Sequence, residues 1–166
     1  MIRTLARSAI AFAALAFASA ALAEKVPESR LKEFAALMPA APEGYTRGEP
    51  MGLYSSDSAS SVTATYKSND GKSFSIVVTF SKDNAKQNAE LLRNASQRKR
   101  WGFDAVKIAG RDALARSADN KNKFAAIYLV VLGERIVSAT DSSGTADHGV
   151  VKAVFEKADF DAIGKK

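Results

Sequence analysis

The apolar pattern is densest over residues 123–141. In an extended chain, alternate residues from Phe124 to Leu132 fall on one side, and those between them, from Ala125 to Val131, fall on the other. Both sides are apolar and rich in β-branched and aromatic residues, which is typical of a strand covered on both faces. Gly133 then interrupts the run, and residues 135–140 predict a second strand that turns back on the first. We therefore expect a hairpin at the centre of a sheet.

Two further segments alternate between apolar and small polar residues. They are residues 62–66 and residues 74–80, and the sequence Asp70-Gly71 lies between them. This dipeptide favours a tight hairpin turn because both residues tolerate positive φ. Short strand patterns at residues 106–108 and 112–117, followed by a polar turn at 118–122, lead into the central hairpin.

Three segments have the spacing of amphipathic helices. Residues 27–38 place apolar side chains at i, i+3, i+4 and i+7. Residues 81–100 predict one long helix capped by Ser81 or Asp83. A last helix is predicted from Thr145 or Asp147 to about residue 160. The expected buried stripe of the long helix consists of Ala85, Ala89, Leu92 and Ala95.

This order of elements defines an α+β class. We expect residues 24–166 to form one globular domain, with a single antiparallel sheet of about five to seven strands and helices packed on it. The order (helix, hairpin, long helix, meander, helix) resembles the PsbP-like α-β-α fold of small exported accessory proteins. That resemblance implies an α-β-α sandwich and carries over no functional residue.

The N-terminus has the pattern of a secretory signal peptide. Arg3 and Arg7 precede a short apolar run, and Ala21-Leu22-Ala23 matches a cleavage site. We expect cleavage after Ala23 and a periplasmic protein of a Gram-negative bacterium; the competing interpretation is a retained membrane anchor. No later stretch is long and apolar enough to predict a transmembrane segment.

The charge pattern gives the main candidate for a binding site. Without its first 23 residues the chain falls from a net charge of +6 to +4, and residues 82–100, with six basic and two acidic side chains, carry +4 alone. A concentrated positive face can bind an anionic partner. The candidate binding residues are Lys82, Lys86, Arg93, Arg98, Lys99, Arg100 and Trp101. The competing interpretation is a solvated helix face whose long side chains cover the core, with Trp101 buried.

The inventory of catalytic residues is short. The chain has no cysteine, which excludes disulfides and thiolate chemistry. Its one histidine, His148, follows Asp147, but adjacent helical residues do not face each other. The familiar catalytic, phosphate-binding and metal-binding motifs are missing from the sequence. We predict neither an enzyme nor a bound cofactor or metal.

The sequence thus predicts a periplasmic accessory or binding protein. Its expected partner is an envelope protein or an anionic lipid or polysaccharide, and not nucleic acid, because aromatic residues are not interleaved with the basic ones. One alternative is a small-ligand cavity. Its lining would consist of Phe74, Ile76, Tyr128 and Val130. A second alternative is a hydrolase that uses Ser, Asp and His148.

Overall fold

The computed structural model describes residues 28–56, 59–117, 126–141 and 143–166. The predicted signal peptide and the polar turn at 118–122 lie outside these residues. The described chain forms five helices and eight strands. In chain order they are α1 Glu28–Leu37, β1 Tyr45–Arg47, β2 Met51–Ser56, β3 Ala59–Ser68, β4 Ser73–Phe80, α2 Lys82–Arg93, α3 Ala95–Arg100, β5 Phe103–Ile108, β6 Arg111–Arg116, β7 Ala126–Leu132, β8 Arg135–Asp141, α4 His148–Phe155 and α5 Phe160–Lys165.

The strands form one antiparallel sheet in the order β1-β3-β4-β8-β7-β6-β5, and β2 also pairs with β3. The antiparallel α+β class is therefore confirmed, with eight strands in place of the expected five to seven. The β7–β8 hairpin lies inside the sheet between β4 and β6, as the apolar run predicted. Gly133 takes a positive φ of 62° in the turn that joins the two strands.

The two faces of the sheet pack against different helices. One face is apolar from β3 to β5. Its central row consists of Val62, Val78, Val137, Val130, Ala113 and Val106. Helices α1, α4 and α5 cover this face through Phe34, Phe155 and Ile163, and bury them fully.

The opposite face holds a smaller core. Helix α2 packs on β6, β7 and β8, where Ala85 contacts the cluster that contains Leu114, Leu129 and Ile136. On β3 and β4 this face carries hydroxyl groups instead, and the side-chain oxygens of Thr65 and Ser75 lie 3.1 Å apart. The apolar part of this face therefore coincides with the strands that α2 contacts.

The predicted β3–β4 hairpin is also confirmed. Tyr66 pairs with Phe74, and their rings stack with centroids 4.7 Å apart. Gly71 occupies the turn with a φ of 85°. The predicted alternation along β7 is confirmed from Tyr128 to Leu132. It is wrong at Ile127, which lies in the same core cluster as Tyr128 and not on the opposite face. The cause is a shift in register between Ala126 and Tyr128.

Two helix predictions were wrong in their extent. The predicted helix 81–100 is interrupted at Asn94, which is extended (φ −108°, ψ 99°), so Ala95 is exposed and not part of the buried stripe. The last helix ends at Phe155, and α5 restarts after Asp159 caps it by accepting from Ala162 N at 2.9 Å. Each break is stabilised because a side-chain oxygen binds an N–H that the next helix leaves unpaired.

Candidate functional site

The candidate site is built on α2, which the sheet holds in a fixed orientation. Ser81 caps the helix, and its Oγ accepts from Asn84 N at 3.4 Å. Ala85 faces the sheet and is only 1% exposed. At about 100° per residue, Lys86 and Arg93 lie roughly 80 to 100° around the helix from the buried Ala85, and both are exposed. The core packing of α2 therefore sets the direction of its basic side chains.

Helix α3 follows α2 and, unlike α2, buries none of its side chains. Asn94 Oδ1 accepts from Gln97 N at 3.0 Å and starts the helix. The helix lies against β5. Its last turn carries three basic residues, where the negative end of the helix dipole favours them. Helix α3 thus presents Lys99 and Arg100 to solvent.

Arg98 has a structural role within this surface. Its Nη1 donates to Leu91 O at 3.2 Å and to Leu92 O at 3.1 Å, which are carbonyls of the last turn of α2. Carbonyls at a helix C-terminus lack partners inside the helix. The guanidinium therefore caps α2 and ties α3 to it across the Asn94 break.

Lys82 is the second cation with a described partner. Its Nζ lies 3.4 Å from a carboxylate oxygen of Glu134, in the β7–β8 turn. Both side chains are largely exposed, so the pair contributes at most about 1 kcal/mol. Among the ion pairs of the described residues, none includes Lys86, Arg93, Lys99 or Arg100.

Trp101 follows α3 directly and is 45% exposed. The sequence left open whether this residue is buried, and the structure places much of the indole at the surface. Met51, on β2, is the other large apolar side chain that is exposed in the described part of the chain, at 63%. We define the basic surface as Lys86, Arg93, Lys99, Arg100 and Trp101.

An open depression lies at the break between α2 and α3. Its lining consists of Glu90, Arg93, Asn94, Ala95, Ser96 and Gln97. The amide and hydroxyl groups beside Arg93 offer donors to an anionic group, while the Glu90 carboxylate opposes one. The helical pattern of residues 81–100 does not predict this depression, because it places Asn94 in the interior of one helix; the Asn-x-x-Gln spacing, which can cap a helix, is the available signal.

His148 does not meet a carboxylate in the described contacts. The imidazole is exposed, and its Nε2 lies 2.9 Å from Arg116 Nη2. Since a guanidinium only donates, Nε2 must accept. Asp147 instead caps α4 by accepting from Gly149 N at 2.8 Å and Val150 N at 3.1 Å. Asp147 and His148 are adjacent in sequence, but their side chains form hydrogen bonds with different groups.

The four side chains proposed to line a cavity belong to the packed core. Phe74, Ile76 and Val130 are fully buried, and the Tyr128 ring lies 6.3 Å from that of Phe155. A second surface depression, which none of the four lines, lies beside the β3–β4 turn and the start of α4. Its lining includes Tyr45, Ser68, Asp70, Lys72 and Asp147.

An ion pair occupies the rim of that second depression. Lys72 Nζ lies 2.8 Å from Asp70 Oδ2. Hydrogen bonds from Lys72 and then from Ser68 lower the pKa of Asp70 from 3.8 to about 2. Both charges are thereby matched within the turn, and the pair stabilises the hairpin bend without leaving a free charge for a ligand.

The described residues contain no group of three or more histidine, aspartate or glutamate side chains arranged to hold a metal ion. Within the same residues, no helix combines the length and the apolar character needed to cross a bilayer. A scan against protein-family models, a search of curated proteins and a search of solved structures each gave no match to this chain. We therefore infer its function from the chemistry of its own residues.

Proposed function

We propose that this protein is a non-enzymatic binding protein of the bacterial periplasm, exported by cleavage after Ala23, and that its basic surface contacts an anionic component of the cell envelope. The observation that carries the proposal is the exposure of Lys86, Arg93, Lys99 and Arg100 on two consecutive helices, where none of the four has a described ion pair. A basic side chain that forms no ion pair within its own protein remains available to an anionic partner.

The expected strength of this contact is modest and depends on salt. Near an anionic surface each basic side chain contributes about 1 kcal/mol, so four contribute about 4 kcal/mol at low ionic strength. That corresponds to roughly a thousandfold in affinity. At physiological ionic strength the Debye length is about 8 Å, and much of the attraction between exposed charges is screened. Binding should therefore weaken steeply as salt is added.

The scaffold supports this role. The free energy of binding is lost when mobile side chains and helices must be ordered, and α2 is already fixed by Ala85 against the sheet. Arg98 likewise fixes α3 relative to α2. The resemblance of the element order to PsbP-like accessory proteins agrees with a role exerted through contacts.

The contacts of His148 favour this proposal over the hydrolase alternative. A general base needs a group that orients it and a proton within hydrogen-bond reach. The ring of His148 instead faces the guanidinium of Arg116 in solvent. We expect substitution of His148 by Ala to leave binding to anionic partners unchanged.

Retention on a column of an acidic polymer, measured over a salt gradient, tests the proposal. The test variant combines Lys86→Glu, Arg93→Glu and Arg100→Glu. A matched control makes the same change of net charge at three exposed lysines elsewhere, Lys67→Glu, Lys157→Glu and Lys165→Glu. We expect the test variant to elute at much lower salt than the control. Equal elution of the two variants would show that only net charge matters and would contradict a localised site.

A further inference from the structure

We propose that the anionic partner is the phospholipid surface of a bilayer, with Trp101 seated among the headgroups. This inference rests on the proposed function and names its partner. Two properties of the basic surface carry it: the exposed indole next to the cations, and the exposure of those cations on the surface of two consecutive helices.

The indole is the first property. Trp101 directly follows Lys99 and Arg100 and is 45% exposed. Exposing a large aromatic ring to water is unfavourable, whereas the interface of a bilayer accommodates both its apolar body and its polar N–H. Lysine and arginine beside it can extend their charged ends to phosphate while their stems lie along apolar surface. An aromatic residue flanked by cations is thus suited to a headgroup layer.

The exposure of the cations is the second property. Helix α3 has no buried side chain, and the exposed residues of α2 include Lys86 and Arg93. The depression beside Arg93 includes the repelling carboxylate of Glu90 and does not include Trp101, so an anion held in it would not reach the indole. A flat array of phosphates can meet the helices and the indole together without entering that depression.

The end of α3 is held rigidly. Trp101 N donates to Gln97 O at 3.0 Å, Gly102 N donates to Lys99 O at 2.9 Å, and Ser117 N, directly after β6, donates to Gly102 O at 2.9 Å. Lys99, Arg100 and Trp101 are therefore presented on a fixed platform. Docking therefore costs the rotamer entropy of these side chains but little backbone entropy.

The fluorescence of Trp101 gives a direct test, because it is the only tryptophan of the chain. The purified protein is mixed with vesicles of phosphatidylcholine alone, and with vesicles of phosphatidylcholine and phosphatidylglycerol. We expect the anionic vesicles to bind at least roughly tenfold more tightly. We also expect a blue shift of the emission, and quenching by lipids brominated near the headgroup.

Sedimentation with the anionic vesicles compares two matched variants. Trp101→Ala removes the proposed foothold, and Met51→Ala removes the other exposed large apolar side chain. We expect about a five- to tenfold loss of affinity for Trp101→Ala and no change for Met51→Ala. Far-ultraviolet circular dichroism of both variants shows that each is folded.

The outcomes separate this inference from the proposed function. Salt-sensitive binding to anionic vesicles without a blue shift, or equal binding by Trp101→Ala, overturns the bilayer foothold while anion binding stands. Binding to a soluble acidic polysaccharide or an acidic protein, but not to vesicles, also overturns the bilayer contact and leaves anion binding in place. No binding to any of these anionic partners at low salt overturns the proposed function as well.

Discussion

Asp141 is a buried residue whose side-chain oxygens accept hydrogen bonds from backbone N–H groups. It is 2% exposed and ends β8. Its Oδ1 accepts from Ser143 N at 3.1 Å and Gly144 N at 2.6 Å, and its Oδ2 accepts from Ala146 N at 3.3 Å. A carboxylate that receives several N–H groups can remain charged when buried. This residue therefore shapes the loop that leads from the sheet into α4.

Replacing Asp141 tests this role. Asp141→Ala leaves three N–H groups without their acceptor, and we expect the free energy of unfolding to fall by about 2 to 3 kcal/mol. Asp141→Asn keeps one oxygen and should cost less. Urea unfolding measures both, with Asp104→Ala at an exposed position of β5 as the control. A loss no larger than that of the control would show that water replaces the carboxylate.

Tyr66 gives the fold a sensitivity to alkaline pH. The residue is fully buried, and its hydroxyl donates to Pro39 O at 2.9 Å. Burial raises the pKa of Tyr66 from 10.0 to about 12, against the opposing effect of the nearby Arg47. Above pH 10 the unfolded chain releases this proton while the folded chain keeps it. The stabilisation is therefore complete below pH 10 and is lost as the pH rises towards 12.

The size of this loss can be measured with Tyr66→Phe. The rise in the pKa of Tyr66 from 10.0 to about 12 corresponds to roughly 2 to 3 kcal/mol in the free energy of unfolding. Loss of the hydroxyl costs about 1 kcal/mol at neutral pH. We expect the wild-type protein to be more stable than Tyr66→Phe at about pH 9, and to lose that advantage by about pH 11.5. A stability difference that stays constant over this range would show that Tyr66 ionises equally in both states.

At the scale of single elements, the sequence was sufficient where one pattern decided the outcome. The inward position of Tyr66 follows from strict alternation along β3, and the turn at Gly71 follows from its need for positive φ. The strands β1 and β2 were missed because β1 has only three residues and both lie in a segment rich in Gly and Pro. Their pairing with β3 depends on tertiary contacts that no local pattern contains.

The break between α2 and α3 shows the same limit in a helix. Asparagine in a helix interior costs only a few tenths of a kcal/mol relative to better helix formers, so the pattern of residues 81–100 favoured one long helix. The two-helix arrangement is stabilised by contacts six and seven residues apart, beyond the i to i+4 spacing of a helix pattern, in which Arg98 donates to the carbonyls of Leu91 and Leu92. For the same reason the sequence predicted the basic face but not which of its cations has a structural role.

Arg98→Ala tests the capping of α2. Two carbonyls lose a charged donor, and we expect a destabilisation of about 1 to 2 kcal/mol. Lys99→Ala, one residue further on and exposed, should change stability by less than about 0.5 kcal/mol. Thermal and urea unfolding compare the two variants. Equal effects would assign Arg98 to the solvated face with its neighbours.

At the scale of the whole molecule, the basic surface is connected to the core through the packing of α2 on the sheet. Helix α2 packs on β6, β7 and β8, and β8 in turn pairs with β4 at the centre of the sheet. A ligand held by the basic surface should therefore stabilise the sheet as a whole against unfolding, because binding to the folded state alone shifts the equilibrium by mass action.

Thermal unfolding in the presence of polyphosphate, a soluble anionic probe, measures this coupling. At a ligand concentration about tenfold above Kd the gain is about 1.4 kcal/mol, which raises Tm by about 3 to 8 °C for a domain of this size. The reference is sodium chloride at equal ionic strength.

We expect the shift to vanish in the variant that combines Lys86→Glu, Arg93→Glu and Arg100→Glu. It should persist in the control with Lys67→Glu, Lys157→Glu and Lys165→Glu, which differs only in where the charge is placed. A shift that disappears equally in both variants would mean that the polyanion responds to net charge, and a shift absent from the wild-type protein would mean that α2 binds no anion tightly enough to stabilise the fold.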